Sequence, residues 1–126
     1  MIQRFIHQSY DNNSLRKMIL QKEITLRGFK RGYHLITRTI IDNLGNLPEK
    51  GLLHILVKHT SAAIALNENA DPSVRVDFNR FIDKLIPEHD PVYTHTLEGG
   101  DDMPAHLKSS LFGQSVTIPI TNGRLN

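Results

Sequence analysis

His59, His95 and His106 stand in polar clusters that a hydrophobic core does not need. The clusters read His59-Thr-Ser-Ala-Ala, His95-Thr-Leu-Glu98-Gly-Gly-Asp101-Asp102 and Met103-Pro-Ala-His106-Leu-Lys108. Between the first two lies Asn67-Glu68-Asn69-Ala-Asp71-Pro72. Imidazole is a common metal ligand and the usual general base near neutral pH. Three histidines in a chain without cysteine match the donor set of a catalytic zinc site, in which a fourth position stays open for water or substrate. On this reading His59, His95 and His106 hold a divalent metal, zinc first among them. Glu68, Asp102 and His106 then carry the acid-base chemistry. Ser61, Asn67, Lys108 and Arg124 are the candidates for holding substrate, through a hydroxyl, an amide and two cations that complement a phosphate.

Each candidate has a plainer reading. A histidine at the end of a buried strand, such as His59, often only satisfies a carbonyl. His95 alternates with Tyr93 and could be an exposed cross-strand residue. Asp102 could simply cap a helix, and its i,i+4 pair with His106 could be an ordinary surface contact. Asn67-Glu68-Asn69 could be a turn ahead of a helix cap, and Lys108 a solvated helix lysine. A carboxylate that orients a ligating imidazole is the feature that separates the two readings of the histidines.

The elements that must position these residues follow from periodicity. Lys22 to Arg27 alternates like a half-buried strand, and Tyr33 to Ile41, rich in Ile and Thr, reads as a second. Leu52 to Lys58 reads as a buried strand that delivers His59, and Ala62 to Leu66 as its continuation after a kink. Asp71 is a helix N-cap with Pro72 at the first position. Val74, Phe78, Phe81, Ile82 and Leu85 then form a helical stripe that Pro87 ends. Val92 to Leu97 alternates again. Asp102 or Met103 caps a shorter helix with Pro104 near its start, and Gly113 stops it. Ser115 to Ile120 is a last strand, which Pro119 places at an edge or a bulge. Strands around two main helices give an α+β domain with a largely antiparallel sheet or sandwich.

Composition narrows the function classes. A chain of 126 residues fits one domain. The absence of cysteine excludes disulfides, thiolate zinc sites and a cysteine nucleophile. No apolar run reaches the ~20 residues of a membrane span, and no secretory signal opens the chain, so a cytoplasmic protein without a membrane partner is expected. The net charge of +2 is uneven. Residues 1–40 carry eight Lys/Arg against two acids, and the remainder carries seven against eleven. The basic start is interspersed with apolar residues and has no recognition-helix or RNA-motif signature, so nucleic acid is not expected as a partner. The acidic remainder suits a site that holds a cation.

A family resemblance joins these blocks. His59-Thr-Ser-Ala, Asn67-Glu68-Asn69-x-Asp71-Pro72-x-Val74-Arg75-x-Asp77, Glu98-Gly-x-Asp101-Asp102-Met-Pro-x-His106-x-Lys108-x-Ser110 and Gly123-Arg124 resemble the YjbQ family. That family is also called the secondary thiamine-phosphate synthase family. Arg31-Gly32-Tyr33-His34-Leu35 is similar to its early strand. The likeness runs from about Met18 to Asn126. It implies a small α+β protein that forms homotrimers, a histidine-lined pocket for a metal, often zinc, and a weak thiamine-phosphate synthase activity. That reaction joins a hydroxymethylpyrimidine pyrophosphate to a thiazole phosphate and releases pyrophosphate. Two departures set the expected domain limits. Residues 1–17 read as a flexible N-terminal extension, and the domain over 18–126 reads as shortened. Family members continue past the Gly-Arg with a Gly-Thr-Trp-Gln-Gly strand, a Glu-His-Arg-like segment and a closing strand.

The expectation is therefore a metal-binding enzyme that takes a small phosphorylated metabolite, of transferase type by resemblance. A metal-dependent hydrolase and a non-catalytic sensor or binding module for such a metabolite are the alternatives.

Overall fold

The computed structural model describes the backbone of residues 2–11 and 14–126, with side chains from residue 19 onward. The chain divides into two units. The first is a sheet with one helix, built from residues 1–29, 34–58 and 115–126. Its strands are β1 (Ile2–Asp11), β2 (Ser14–Thr25), β3 (Lys50–Lys58), β4 (Ser115–Thr121) and β5 (Arg124–Leu125). They form one antiparallel sheet in the order β2-β1-β3-β4-β5. β1 lies within the stretch that the sequence reading takes as an extension. It pairs with β3 from Ile2 opposite Lys58 to Ser9 opposite Gly51. This is the only sheet among the described residues, so the sandwich alternative is not seen.

β3 shows the period of two that a sheet imposes. Leu53 is 0% exposed, and Ile55 and Val57 are buried on the same face. Leu52, His54 and Leu56 take the other face, where Leu52 and Leu56 are exposed. His54 Nδ1 meets the Thr117 hydroxyl of β4 at 2.9 Å, across a directly opposed pair. Ile24 and Ile120 complete the buried apolar set of the strands, and Leu26, just past β2, is buried as well. Pro119 accepts at its carbonyl from Asn126 N–H (3.0 Å), on the outer side of β4. A strand residue points its N and its C=O the same way, so the donor that Pro119 lacks falls on that outer side, away from β3; β4 itself lies between β3 and β5 and is not the edge strand that the sequence suggests. Asn122 and Gly123, both at positive φ, turn the chain into β5.

The stretch read as a strand over Tyr33–Ile41 is instead the start of helix α1 (Thr37–Leu44). The Ile and Thr residues there favour a strand locally, yet burial follows a helix. Ile40 is buried, while Ile36, Asn43 and Leu44 are half-buried at helical spacing around it. Arg38 and Asp42 add an i,i+4 ion pair at 2.9 Å. α1 lies against β2, and Lys22 of that strand donates from Nζ to the Asn43 carbonyl. Tertiary burial here outweighs intrinsic propensity.

The second unit contains residues 30–33 and 59–114. Its helices are α2 (Pro72–Leu85) and α3 (Asp102–Phe112). α2 has the limits that its stripe predicts. Asp71 accepts from Ser73 N–H at 2.8 Å, and this bond holds the Asp71 carboxyl below its ordinary range. Ile82 is buried, but Phe81 and Leu85 of the same stripe remain exposed. Phe78 joins Tyr33 (4.9 Å, edge to face) and Phe112 (5.5 Å) in an aromatic cluster. The cap of α3 is Asp101, not Asp102 or Met103, and it makes no side-chain capping bond. Pro104 falls two residues inside the helix start, where its missing N–H is still harmless. Gly113 is the C-cap, as expected.

The segments Ala62–Leu66 and Val92–Leu97 are not strands. The first keeps its alternation but gives it to α3. The Thr60 carbonyl accepts from His106 Nδ1 (3.2 Å), the Ala62 carbonyl from Ser109 Oγ (2.9 Å), and Ile64 N–H donates to the Gly113 carbonyl (3.1 Å). Every second residue from Thr60 to Ile64 thus meets positions three and four apart along α3 and its C-cap. Ser109, 1% exposed, is the middle rung and also accepts from Gln114 Nε2 at 2.8 Å. Replacing Ser109 by Ala leaves the half-buried Ala62 carbonyl and Gln114 amide without this partner. The expected loss is about 1–3 kcal/mol of unfolding free energy, to be read by chemical denaturation; an unchanged value would show that the hydroxyl does not hold the segment.

Candidate metal centre

Three side chains converge at the start of α3. Asp102 is its first residue, and His106 lies one turn on. His95 comes from the irregular segment between α2 and α3. Gly99, at φ +116, and Gly100 turn this segment toward α3; a Cβ on Gly100 would overlap the His89 ring. Because Asp101 takes the cap position, the Asp102 carboxylate is left for the histidines. Its Oδ2 lies 2.8 Å from His95 Nε2 and 3.2 Å from His106 Nε2. The imidazole centroids are 5.9 Å apart, edge to face. One donor atom from each of the three residues fits within a span of 4.8 Å. Glu98 adds a carboxylate oxygen 3.7 Å from His95 Nε2. Asp102 is the most sheltered of these groups, and His95 opens to solvent.

The tautomer of His106 follows from its partners. A backbone carbonyl only accepts, so His106 Nδ1 carries a proton for the Thr60 oxygen. In the neutral ring Nε2 is then a bare lone pair, 3.2 Å from a carboxylate oxygen that also only accepts. Two lone pairs at 3.2 Å repel. A cation between them relieves the conflict. A ring whose other N–H is held by a carbonyl is the usual arrangement of a ligating histidine.

The other candidates are placed differently. His59 Nδ1 faces the Ser61 N–H (3.2 Å) and hydroxyl (3.1 Å), so Ser61 serves His59, and neither is among the converging donors. Asp102 supplies the donor that the sequence reading gave to His59. Asn67 Oδ1 accepts from Glu68 N–H at 2.8 Å, in a local turn ahead of α2, and both residues are exposed. Arg124 lies on β5, in the sheet unit. Lys108 is neither solvated nor aimed at a free phosphate. It is tied to Asp83 of α2 at 2.6 Å.

Asp83 is a residue that the sequence reading passed over as a polar position off the α2 stripe. Its Oδ1 accepts from Lys108 and from Arg31 (2.6 Å each), and its Oδ2 from Asn79 Nδ2 (3.1 Å). Arg31 also pairs with Glu88. Only the helical i,i+4 spacing of Asn79 and Asp83 was visible in advance, because Arg31 and Lys108 are remote in sequence. The hydrogen bond from Lys108 holds the Asp83 carboxyl below its ordinary value; burial opposes this and Arg31 adds to it. Arg31 is raised in turn, first by its bond to Asp83.

An α+β chain whose helical unit gathers a His/Asp/His donor set has a definite class, and comparison gives its family. The family model described as "UPF0047 protein YjbQ-like" matches residues 22–126. The chain belongs to this YjbQ/UPF0047 family. It is 51% identical to the UPF0047 protein YjbQ of Salmonella typhimurium over 110 residues, which covers 86% of this chain and 79% of that protein. The YjbQ protein of Escherichia coli O157:H7 is 46% identical with the same coverage. Among solved structures, a conserved hypothetical protein from Thermus thermophilus superposes with a TM-score of 0.66 at 36% identity, covering 75% of this chain and 71% of that one. An uncharacterised YjbQ/UPF0047 protein from Clostridium acetobutylicum gives a TM-score of 0.60 at 37% identity, over 72% of this chain and 66% of that one.

The depressed Asp83 carboxyl makes an acid-side prediction. Its stabilising contribution is fully present above the ordinary aspartate value of about 3.9 and is lost as the pH falls through the lower folded value. Between about pH 6 and about pH 3 the wild type should lose more unfolding free energy than Asp83→Asn, which has no such proton to take up. Parallel pH profiles for the two proteins would remove Asp83 from this role.

Proposed function

We propose that the helical unit is a divalent-metal site, with zinc the first candidate, and that the protein is a metal-dependent enzyme acting on a small phosphorylated metabolite. The observation that carries this reading is the His106 ring. Its Nδ1 is committed to the Thr60 carbonyl, and its Nε2 faces Asp102 with no proton to offer in the neutral state. His95, Asp102 and His106 are the ligands in this reading, a mixed nitrogen and oxygen set that suits zinc. Thr60 orients His106 from behind, and Glu98 stands beside His95 as the nearest free carboxylate. A bound metal supplies either charge neutralisation for a phosphate or pyrophosphate leaving group, or a water activated near neutral pH. The transfer implied by the family resemblance uses the first, because it releases pyrophosphate; a hydrolase would use the second. Exposure of His95 leaves the side from which a substrate would reach the ligands open. Glu98 is the residue in this reading that would hold or move a proton beside the ligands, a role that Glu68 and its turn do not reach.

Elemental analysis of the purified chain tests the reading. Near-stoichiometric zinc or another transition metal is expected in the wild type. In Asp102→Asn and His95→Ala, retention against a competing chelator should fall by at least about 10-fold, since each loses a ligand. Retention should also weaken at acid pH, where protons compete for the imidazole nitrogens. Folded wild-type protein with no metal and no measurable zinc affinity would defeat the proposal.

A further inference from the structure

Residues of α2 and the 30–33 segment form an open groove of about 470 Å³ within the helical unit. Arg31, Tyr33, Arg75, Val76, Asn79 and Arg80 line it. On α2 the pairs Arg75/Asn79 and Val76/Arg80 are each four apart, so they form two adjacent rows beside the apolar stripe. Three guanidinium groups therefore border one concavity, and their charges are not equally balanced. Arg31 is neutralised by Asp83 and Glu88. Arg75 donates to the uncharged amide oxygen of Asn69 at 2.8 Å. The nearby Asp71, which accepts from Ser73, acts on Arg75 through space and makes no hydrogen bond to it. Arg80 has no hydrogen bond or ion pair with any described residue.

We infer that this groove binds a phosphomonoester of a small, partly apolar molecule. The phosphate would sit on Arg75 and Arg80, with the body against Tyr33 and Val76. Two guanidinium groups, Arg80 without an ion pair and Arg75 balanced only through space by Asp71, match the charge of a phosphomonoester, about −1.5 to −2 at neutral pH, better than the single charge of a carboxylate. The planar donor fork of arginine also fits phosphate oxygens in pairs. The wall is held in place before a ligand arrives. Asp83 fixes both Arg31 and Asn79, and Phe78 fixes the Tyr33 ring edge to face. Burial raises the Tyr33 phenol, so it stays a neutral hydroxyl. The volume falls in the range of small-molecule sites, about 300–1,000 Å³. None of the converging metal-site donors lines the groove, so the inference stands whether or not a metal binds at His95, Asp102 and His106.

The test is calorimetric titration of the whole 126-residue chain at fixed ionic strength with phenyl phosphate, inorganic phosphate and benzoate. Phenyl phosphate is expected to bind most tightly of the three. Arg75→Gln and Arg80→Gln should each weaken it by about tenfold or more, the loss of one charge-assisted contact. Arg80→Gln should leave the thermal midpoint unchanged, because Arg80 supports nothing else. Benzoate binding as tightly as phenyl phosphate would overturn the phosphate assignment. Unchanged phenyl phosphate affinity in the double variant, or no wild-type binding up to about 10 mM, would overturn the site.

Discussion

The chain from Thr60 to Ile64, which leaves a turn at Thr60 and Ser61, has backbone groups to satisfy and no neighbouring strand among the described residues to satisfy them. It uses α3 instead, through His106, Ser109 and the Gly113 carbonyl. The match works because a period of two in one partner meets steps of three and four in the other. Much of the helical unit depends on this arrangement. It sets the position of α3 against the loop, buries Ser109, and decides which nitrogen of His106 holds a proton. The chemistry available at Asp102 is therefore a consequence of where a loop disposes of its carbonyls.

Asp83 plays a comparable part between the two helices. One carboxylate takes a lysine from α3, an arginine from the 30–33 segment and an amide from its own helix. A carboxylate with three donors around it is well compensated, while without it Lys108 would lose its partner and Arg31 would keep only Glu88. Residues 30–33 are thereby drawn into the helical unit, although the chain on both sides of them belongs to the sheet. Charge and aromatic contact both hold them there, since Arg31 pairs with Asp83 while Tyr33 packs edge to face on Phe78 and Phe112.

Much of this was legible in the sequence wherever one signal dominated. The Asp71-Pro72 start and the stripe to Leu85 give α2 with its limits, and the apolar run of Leu52 to Lys58 gives β3, although it reads as a buried strand and only the Leu53, Ile55 and Val57 face is buried. The i,i+4 spacing of Asp102 and His106 is enough to bring them together on one helix. Legibility failed where local preference and tertiary demand disagree. Ile and Thr over residues 36–41 speak for a strand, while burial at 36, 40 and 44 makes a helix. The alternation of 60–64 is real, but its partner is a helix that no strand rule anticipates. The segment from Val92 to Leu97 misleads for a related reason: its pattern repeats every second residue, yet it finds no strand to pair with among the described residues. Lys108 looked free because its partner lies 25 residues earlier in the chain.

Pro119 has a consequence beyond the placing of β4. Only Thr121, Ile120 and the Pro119 carbonyl meet β5 and its neighbour Asn126, so the outer groups of β4 from Ser115 to Thr117 face no strand among the described residues. Such an edge is a template on which another chain can add in register. Here the template is short. A strand that begins to pair at Ser115 meets, four residues on, a position with no proton to give and a carbonyl already taken. Self-association through this edge would therefore stall after a few residues instead of propagating as a continuous ribbon.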